Sequence, residues 1–220
     1  MAVACFVKRL LLLLLAVVAS LVSADLPERT RLQQMLINRY GPAPVPLLQE
    51  WLKTVDGAQK LSETERLKRI NDFFNRRIAF DDDSAIWGQS DFWATPLDTV
   101  GKGRGDCEDF SIAKYYSLKA LGIPVAKLRL VYVKARQSGP NGPVVQAHMV
   151  LAYYSSPNAD PLVLDNLKPE IRPASSRSDL TPIFSFNSEG LWHGTGNRAG
   201  KSSLSRWQDL LQRARSEGFQ

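Results

Sequence analysis

The sequence predicts an α+β domain in which helices precede an antiparallel β-sheet. In the first half of the chain, apolar residues recur at helical spacing, and Ser62-Glu63-Thr64-Glu65 has the form of a capping box at a helix start. In the second half, β-branched and apolar residues concentrate in two runs, 125–133 and 144–154, with a turn cluster at 138–143 between them. These observations place the helices and the strands in separate parts of the chain.

The helices can be followed in order from their apolar residues. Residues 27–40 form a predicted first helix that ends at Gly41-Pro42, and residues 65–77 form the helix after the capping box. A short helix between them contains Leu47, Leu48, Trp51 and Leu52. Residues 202–214 close the chain as an amphipathic helix. Residues 80–100 have no clear period and are predicted to be a loop, while 162–164 and 183–186 are short strand candidates.

The first 24 residues form a separate segment. Lys8 and Arg9 precede an unbroken apolar run, 10–19. Val22-Ser23-Ala24 then places small residues at the two positions that a signal peptidase recognises. We predict that residues 1–24 are a signal peptide cleaved after Ala24, and that residues 25–220 form one exported domain. An uncleaved anchor is the alternative, but the apolar run is short for a membrane span of about 20 residues. We therefore expect no stable membrane insertion after cleavage.

The charge of the protein argues against nucleic acid as a partner. The full chain carries a net charge of +6, which falls to +4 when Lys8 and Arg9 leave with the leader. The remaining basic residues are dispersed, and no basic arm or Gly-rich aromatic platform is present in the sequence.

Cys107 is the single cysteine that the cleaved chain would keep, because Cys5 lies in the leader. An unpaired thiol is unusual in an exported protein, which indicates that the sulfur is used chemically. It lies in Gly105-Asp106-Cys107-Glu108-Asp109-Phe110, directly before an apolar segment, 110–121, that is predicted to be a helix. A thiol at a helix N-terminus has its thiolate favoured by unpaired N–H groups.

The three carboxylates beside this thiol act in the opposite direction, because nearby negative charge disfavours a thiolate. A bound hard cation with oxygen ligands, together with a histidine near the sulfur, would offset them. The alternative is that Cys107 is a small buried apolar residue and that the acids cap the helix. Asp81-Asp82-Asp83 offers further ligands or a solvated turn, and the turn is slightly favoured.

His148 is the better candidate of the two histidines for a catalytic base. It lies in the predicted strand 144–154, whereas His193 lies in a Gly-rich stretch that resembles a surface loop. If the following hairpin is centred between Ser156 and Pro157, His148 comes directly across from Asp165 on one face of the sheet. A histidine held by a carboxylate suits general base catalysis, although a satisfied core histidine is the alternative.

The middle of the chain contains six distinctive motifs: Trp87-Gly88, Asp91-Phe92-Trp93-Ala94-Thr95-Pro96, Gly103-Arg104-Gly105-Asp106-Cys107-Glu108-Asp109-Phe110, Ala113-Lys114-Tyr115, His148-Met149-Val150-Leu151 and Leu164-Asp165-Asn166. Together they resemble the bacterial transglutaminase-like cysteine proteinases, the LapG family, within the transglutaminase-like papain superfamily. The resemblance extends from about Arg31 to Trp192 and is most specific around Cys107.

The resemblance implies a transglutaminase-like fold and assigns Cys107 as nucleophile, His148 as base and Asp165 as its orienting carboxylate. It implies Ca²⁺ bound by Asp106 and Glu108, with Asp109 and Asp83 as less certain ligands.

The resemblance also implies a periplasmic endoprotease that cleaves the N-terminal region of a large surface adhesin at a paired-alanine site and so promotes biofilm dispersal. The periplasmic domain of an inner-membrane cyclic di-GMP receptor would inhibit it. A transglutaminase-type acyl transferase and an inactive calcium-binding adaptor are the alternative functions.

Overall fold

The computed structural model describes residues 26–140, 142–194, 198–199 and 204–220. The predicted signal peptide, residues 1–24, lies outside the described residues. Within them the α-helices are α1 (Arg29–Tyr40), α2 (Val45–Ala58), α3 (Glu63–Arg77), α4 (Asp83–Trp87), α5 (Pro96–Lys102), α6 (Cys107–Ala120) and α7 (Ser205–Glu217). None of the described helices has the length and apolar character needed to cross a membrane.

The strands form a small parallel pair and a seven-stranded antiparallel sheet. The sheet order is β6-β5-β4-β3-β7-β8-β9, and β1 pairs with β2. The strands are β1 (Ala79–Phe80), β2 (Arg104–Gly105), β3 (Leu128–Gly139), β4 (Gly142–Tyr153), β5 (Leu162–Leu164), β6 (Arg172–Pro173), β7 (Leu180–Asn187), β8 (Gly190–His193) and β9 (Arg198–Ala199). The predicted α+β class, with helices first and an antiparallel sheet after them, is confirmed.

Helix α6 lies at the centre of the core, where it packs against α3, α5 and β4. Every residue from Asp109 to Ala120 is buried, so this helix has no solvent-facing stripe. Trp51 of α2 donates from Nε1 to Ser117 Oγ at 2.9 Å, which satisfies both buried groups. The N-terminal end of α6 therefore belongs to the most tightly enclosed element of the protein.

The capping box predicted at Ser62 is confirmed, because the Ser62 hydroxyl accepts from the Glu65 N–H and the Glu65 carboxylate accepts from the Ser62 N–H. The predicted loop at 80–100 is wrong in part, since it contains α4 and most of α5. The start of α5 carries a second capping box, in which Thr95 and Asp98 bond reciprocally and Pro96 occupies the first turn. A short helix leaves too few apolar residues for a visible period.

Two further details differ from the sequence-based expectations. His193 ends strand β8 and is not in a loop, although its side chain is exposed. Strand β5 pairs with β4 through Leu151 opposite Leu164. The predicted pairing of His148 directly opposite Asp165 is therefore wrong by two residues. Because side chains alternate with a period of two, this shift keeps both residues on the same face.

Candidate active site

Cys107 is the first residue of α6, and Asp106 is its N-cap. Asp106 Oδ1 accepts from the backbone N–H groups of Glu108 at 3.1 Å and Asp109 at 3.4 Å. Strand β2 brings the chain to this point, and a Cβ on Gly105 would lie 2.7 Å from Asp109 Cβ. Glycine is therefore required for the chain to pass so close to the helix that carries the thiol.

Only one residue of the Asp81-Asp82-Asp83 run joins the acidic residues around Cys107. Asp81 forms an ion pair with Arg104 at 2.7 Å, and Asp82 is exposed. Asp83 begins α4, is buried, and accepts from the backbone N–H of Phe92. The solvated-turn interpretation thus describes Asp81 and Asp82, whereas Asp83 lies with the acids of α6.

Two overlapping groups of side chains have ligand atoms within 4.8 Å of one another. One group is Asp106, Cys107 and Glu108, and the other is Asp83, Asp106 and Asp109. Asp106 is common to both groups. All four predicted calcium ligands therefore take part in this cluster, which we call the acidic group: Asp83, Asp106, Glu108 and Asp109.

The carboxylate oxygens of the acidic group are suitable ligands for a hard cation. Asp83 Oδ1 and Asp109 Oδ2 are buried and have no hydrogen-bond partner among the described residues. The other oxygen of Asp109 accepts from the Ala94 N–H at 2.7 Å, which fixes the carboxylate. Unsatisfied buried carboxylate oxygens are costly, and Ca²⁺ takes six to eight oxygen ligands.

Burial and mutual repulsion raise the pKa values of three carboxyls in the acidic group, those of Asp83, Asp106 and Asp109. Burial, followed by the charges of Glu108, Asp109 and Asp83, raises the pKa of Asp106 to about 9. Burial likewise raises the pKa of Asp83 to about 6 and holds that of Asp109 well above its usual value. Since these three carboxyls favour the protonated form, the chain alone does not stabilise them as carboxylates here.

The same environment holds the Cys107 thiol in its protonated form. Burial raises the pKa of the thiol, and the Glu108 carboxylate raises it further. The Cys107 thiol donates a hydrogen bond to Glu108 Oε2, with 2.7 Å between the sulfur and the oxygen. The backbone N–H of Met149 approaches the sulfur and acts in the opposite direction, lowering the pKa. A positive charge bound to the acidic group would remove the main electrostatic obstacle to a thiolate.

His148 and Asp165 are in direct contact, as the sequence predicted. His148 Nε2 lies 2.8 Å from Asp165 Oδ1, and both side chains are buried. Asp165 directly follows β5, and the α3 residue Asn75 fixes its backbone by donating to its carbonyl at 2.7 Å. The contact is diagonal across the two strands because of the two-residue difference in register.

Arg177 is a part of this site that the sequence did not reveal. It donates to Asp165 Oδ2 at 2.7 Å and to Asp179 Oδ2 at 2.9 Å. Burial alone would raise the pKa of Asp165, but hydrogen bonds from His148 and Arg177 lower it overall. We call His148, Asp165, Arg177 and Asp179 the histidine group. Arg177 lies in an irregular segment with no period or motif that could have identified it.

The two groups approach each other at Met149. Ser111, one turn after Cys107 on α6, donates to the Met149 carbonyl at 3.1 Å, and the Met149 N–H approaches the Cys107 sulfur. Met149 is the residue next to His148. Among the described residues, the hydrogen bond of the sulfur goes to Glu108 and none joins it to His148. The sulfur therefore lies beside the strand segment that carries the histidine.

Known proteins are similar to the chain in both sequence and structure. Residues 52–182 match the family described as bacterial transglutaminase-like cysteine proteinase BTLCP. The structure of Legionella pneumophila LapG is 35% identical, with a TM-score of 0.70 over 86% of this chain and 98% of that one.

LapG from Legionella pneumophila has also been solved in two other forms. The calcium-bound form is 35% identical and has a TM-score of 0.71, over 85% of this chain and 99% of that one. The EGTA-treated form is 34% identical and has a TM-score of 0.72, over 86% and 98%. No curated protein matches the chain.

Proposed function

Because the chain belongs to the family of bacterial transglutaminase-like cysteine proteinases, we propose that it is a calcium-dependent cysteine endoprotease with Cys107 as nucleophile. The observation that carries this assignment is the position of Cys107 at the start of α6, beside the strand segment in which Asp165 holds His148. A thiol, an imidazole and a carboxylate in this relation are the components of acyl transfer through a covalent intermediate.

The contacts of His148 support its role as the base. Since Nε2 is bonded to Asp165, Nδ1 is the ring nitrogen that remains to take the thiol proton. The thiolate then attacks the peptide carbonyl, the imidazolium returns the proton to the leaving amine, and water hydrolyses the acyl-enzyme. The backbone N–H groups at the start of α6 are suited to stabilise the oxyanion. Asp165 fixes the tautomer of the ring throughout.

The acidic group would hold the calcium ion through the carboxylates of Asp83, Asp106, Glu108 and Asp109. When bound, Ca²⁺ supplies positive charge that neutralises these carboxylates. Their unpaired buried oxygens support this assignment, as do the calcium-bound and EGTA-treated structures of the Legionella relative. The carboxylate of Asp106 also caps α6, so its position bears directly on the orientation of Cys107.

The substrate and the cellular setting follow from the likeness to LapG. The substrate is the N-terminal region of a large surface adhesin, cut at a paired-alanine site, and its release promotes biofilm dispersal. The protein acts in the periplasm after removal of residues 1–24, and the periplasmic domain of a cyclic di-GMP receptor restrains it. These assignments are supported by the motifs around Cys107 and by the 35% identity to LapG.

The deciding experiment mixes purified residues 25–220 with an N-terminal adhesin fragment that contains a paired-alanine site. We expect cleavage with Ca²⁺, none in EGTA, and none by Cys107→Ala under either condition. Thermal unfolding of Cys107→Ala checks that the variant is folded. Cleavage by Cys107→Ala would refute the nucleophile, and full activity in EGTA would refute the calcium requirement. Incorporation of a labelled amine into the product would instead indicate an acyl transferase.

A further inference from the structure

Strand β4 has one edge that is left unpaired for most of its length. Strand β3 pairs with β4 from Gly142 to Tyr153, but β5 pairs with it only from Leu151 to Tyr153. In the described part of the chain, no strand pairs with residues 142–149 on the β5 side. The segment therefore presents main-chain groups that a sheet normally satisfies with another strand.

Two hydrogen bonds establish which residues of β4 face this open edge. Tyr154 donates its N–H to Lys127 O at 2.8 Å, so the even-numbered residues of β4 face β3. The Met149 carbonyl accepts from Ser111 at 3.1 Å, which confirms that odd-numbered residues face the other way. By this alternation, the N–H and C=O groups of Val145 and Ala147 point away from β3, toward the open edge of β4.

This open edge is accessible and lacks the usual protection. Residues 142–147 are all exposed, and Val145 is 58% exposed. Edge strands commonly carry charged side chains or a covering element to prevent pairing with other chains. Pro143, at the turn, is the one residue here that limits pairing, and residues 144–147 of β4 carry no charge.

The open edge leads directly to the nucleophile. Met149 lies two residues beyond Ala147, about 7 Å along the strand, and its carbonyl accepts from Ser111, one helical turn after Cys107 on α6, at 3.1 Å. Helix α6 thus begins where the unpaired segment ends. An extended polypeptide paired with Val145 and Ala147 would run along the strand toward Cys107.

We propose that the β4 edge from Pro143 to Ala147 binds the substrate polypeptide as an added β-strand that delivers the scissile bond to Cys107. This inference rests on the proposed protease function and specifies how that site takes its substrate. Pairing through main-chain groups supplies affinity with little dependence on side chains. The substrate must be extended over several residues, so folded regions of a target protein are excluded.

A scan of the substrate tests this proposal on the unmodified enzyme. A peptide that spans the cut site is made as a series, each member carrying one N-methylated amide. Since alternate residues of an added strand face β4, we expect kcat/KM to fall about tenfold or more at every second position on one side of the scissile bond. Uniform losses, or losses only at the two residues that flank the cut, would overturn the proposal.

A pair of proline variants tests the same edge from the enzyme side. Val145→Pro removes an outward N–H, whereas Ser138→Pro removes an N–H from the opposite edge of the same two-stranded ribbon. We expect Val145→Pro to lower kcat/KM at least about fivefold, mainly through KM, and Ser138→Pro to stay within about twofold of wild type. Thermal unfolding and alkylation of Cys107 by iodoacetamide check the fold and the nucleophile.

The results separate this inference from the proposed function. If the wild-type protein cleaves no peptide, the proposed function fails and the inference fails with it. If the wild-type protein cleaves the peptides through Cys107, but kcat/KM does not alternate along the N-methylated series, only the inference fails. A dimer that Val145→Pro dissociates without a change in cleavage would assign the edge to a second copy of this chain and overturn the substrate assignment.

Discussion

The acidic group and the histidine group both contain buried and half-buried carboxylates, yet the pKa values of their carboxyls shift in opposite directions. The pKa of Asp106 is raised to about 9, whereas that of Asp165 is lowered although burial also opposes its ionisation. The difference lies in the partners. Asp165 accepts hydrogen bonds from His148 and Arg177, while no described hydrogen bond or ion pair of the acidic group involves a lysine or arginine. The described residues supply positive partners to Asp165 and none to the carboxylates of the acidic group.

The largest effect in this comparison is expected for Asp165→Asn. The asparagine carries no charge to stabilise the imidazolium, and its NH₂ group must face either His148 or Arg177, both of which donate at this position, so kcat/KM should fall about 1,000- to 10,000-fold. Added Ca²⁺ should not restore activity, because the defect lies in the group that the chain itself completes. Asp72→Asn, at an exposed helix pair with Lys68, is the control. A loss of less than about tenfold would mean that Asp165 does not orient the base.

Arg177→Met should produce the next largest effect, this time on stability. Removing the arginine leaves the buried Asp165 carboxylate without one of its partners, which costs about 3–5 kcal/mol of unfolding free energy. Arg172→Met is a matched control, because Arg172 pairs with Glu170 at the surface and is 56% exposed; it should cost less than about 0.5 kcal/mol. Urea unfolding measures both. Equal losses of unfolding free energy in the two variants would show that the buried contacts of Arg177 do not stabilise the protein.

The acidic group should reverse the usual pH dependence of stability in the absence of calcium. The pKa values of Asp83, Asp106 and Asp109 are raised, so the contribution of these three carboxyls to the free energy of unfolding is fully present below about pH 4 and is lost as the pH rises through about 6 for Asp83 and about 9 for Asp106. In EGTA, the melting temperature should therefore fall between pH 5 and pH 9, by roughly 5–10 °C. Saturating Ca²⁺ should abolish this fall. A melting temperature that does not change with pH in EGTA would contradict the mutual repulsion of these carboxylates.

Lys114 gives a smaller test near the histidine group. Burial lowers its pKa to about 7, while the charge of Asp165 raises it in part. Between about pH 7 and 10.5 the unfolded chain binds more protons at this lysine, so its contribution to stability increases with pH. Lys114→Met should increase the free energy of unfolding by about 1–3 kcal/mol at pH 6 and leave it unchanged at pH 10. Exposed Lys68→Met is the control, and a gain independent of pH would exclude this cause.

The local features of the site could be predicted from the sequence. Acidic residues before an apolar segment identified the helix start at Cys107, and the period of two kept His148 and Asp165 on one face despite an error of two residues in register. The features that were missed depend on contacts between distant segments. Arg177 reaches Asp165 from an irregular segment, and β5 pairs with β4 two residues away from the predicted register.

The sequence by itself determined the order of helices and strands, the placement of the thiol at a helix N-terminus and the shared face of the histidine and aspartate. Each of these is a property of a few neighbouring residues whose spacing follows the geometry of a helix or a strand. Tertiary structure alone decided which carboxylates meet, which arginine neutralises Asp165, and that β4 keeps an open edge beside Cys107. Those outcomes depend on how whole elements pack, and the spacing of residues along one element carries no information about the neighbour that it will meet.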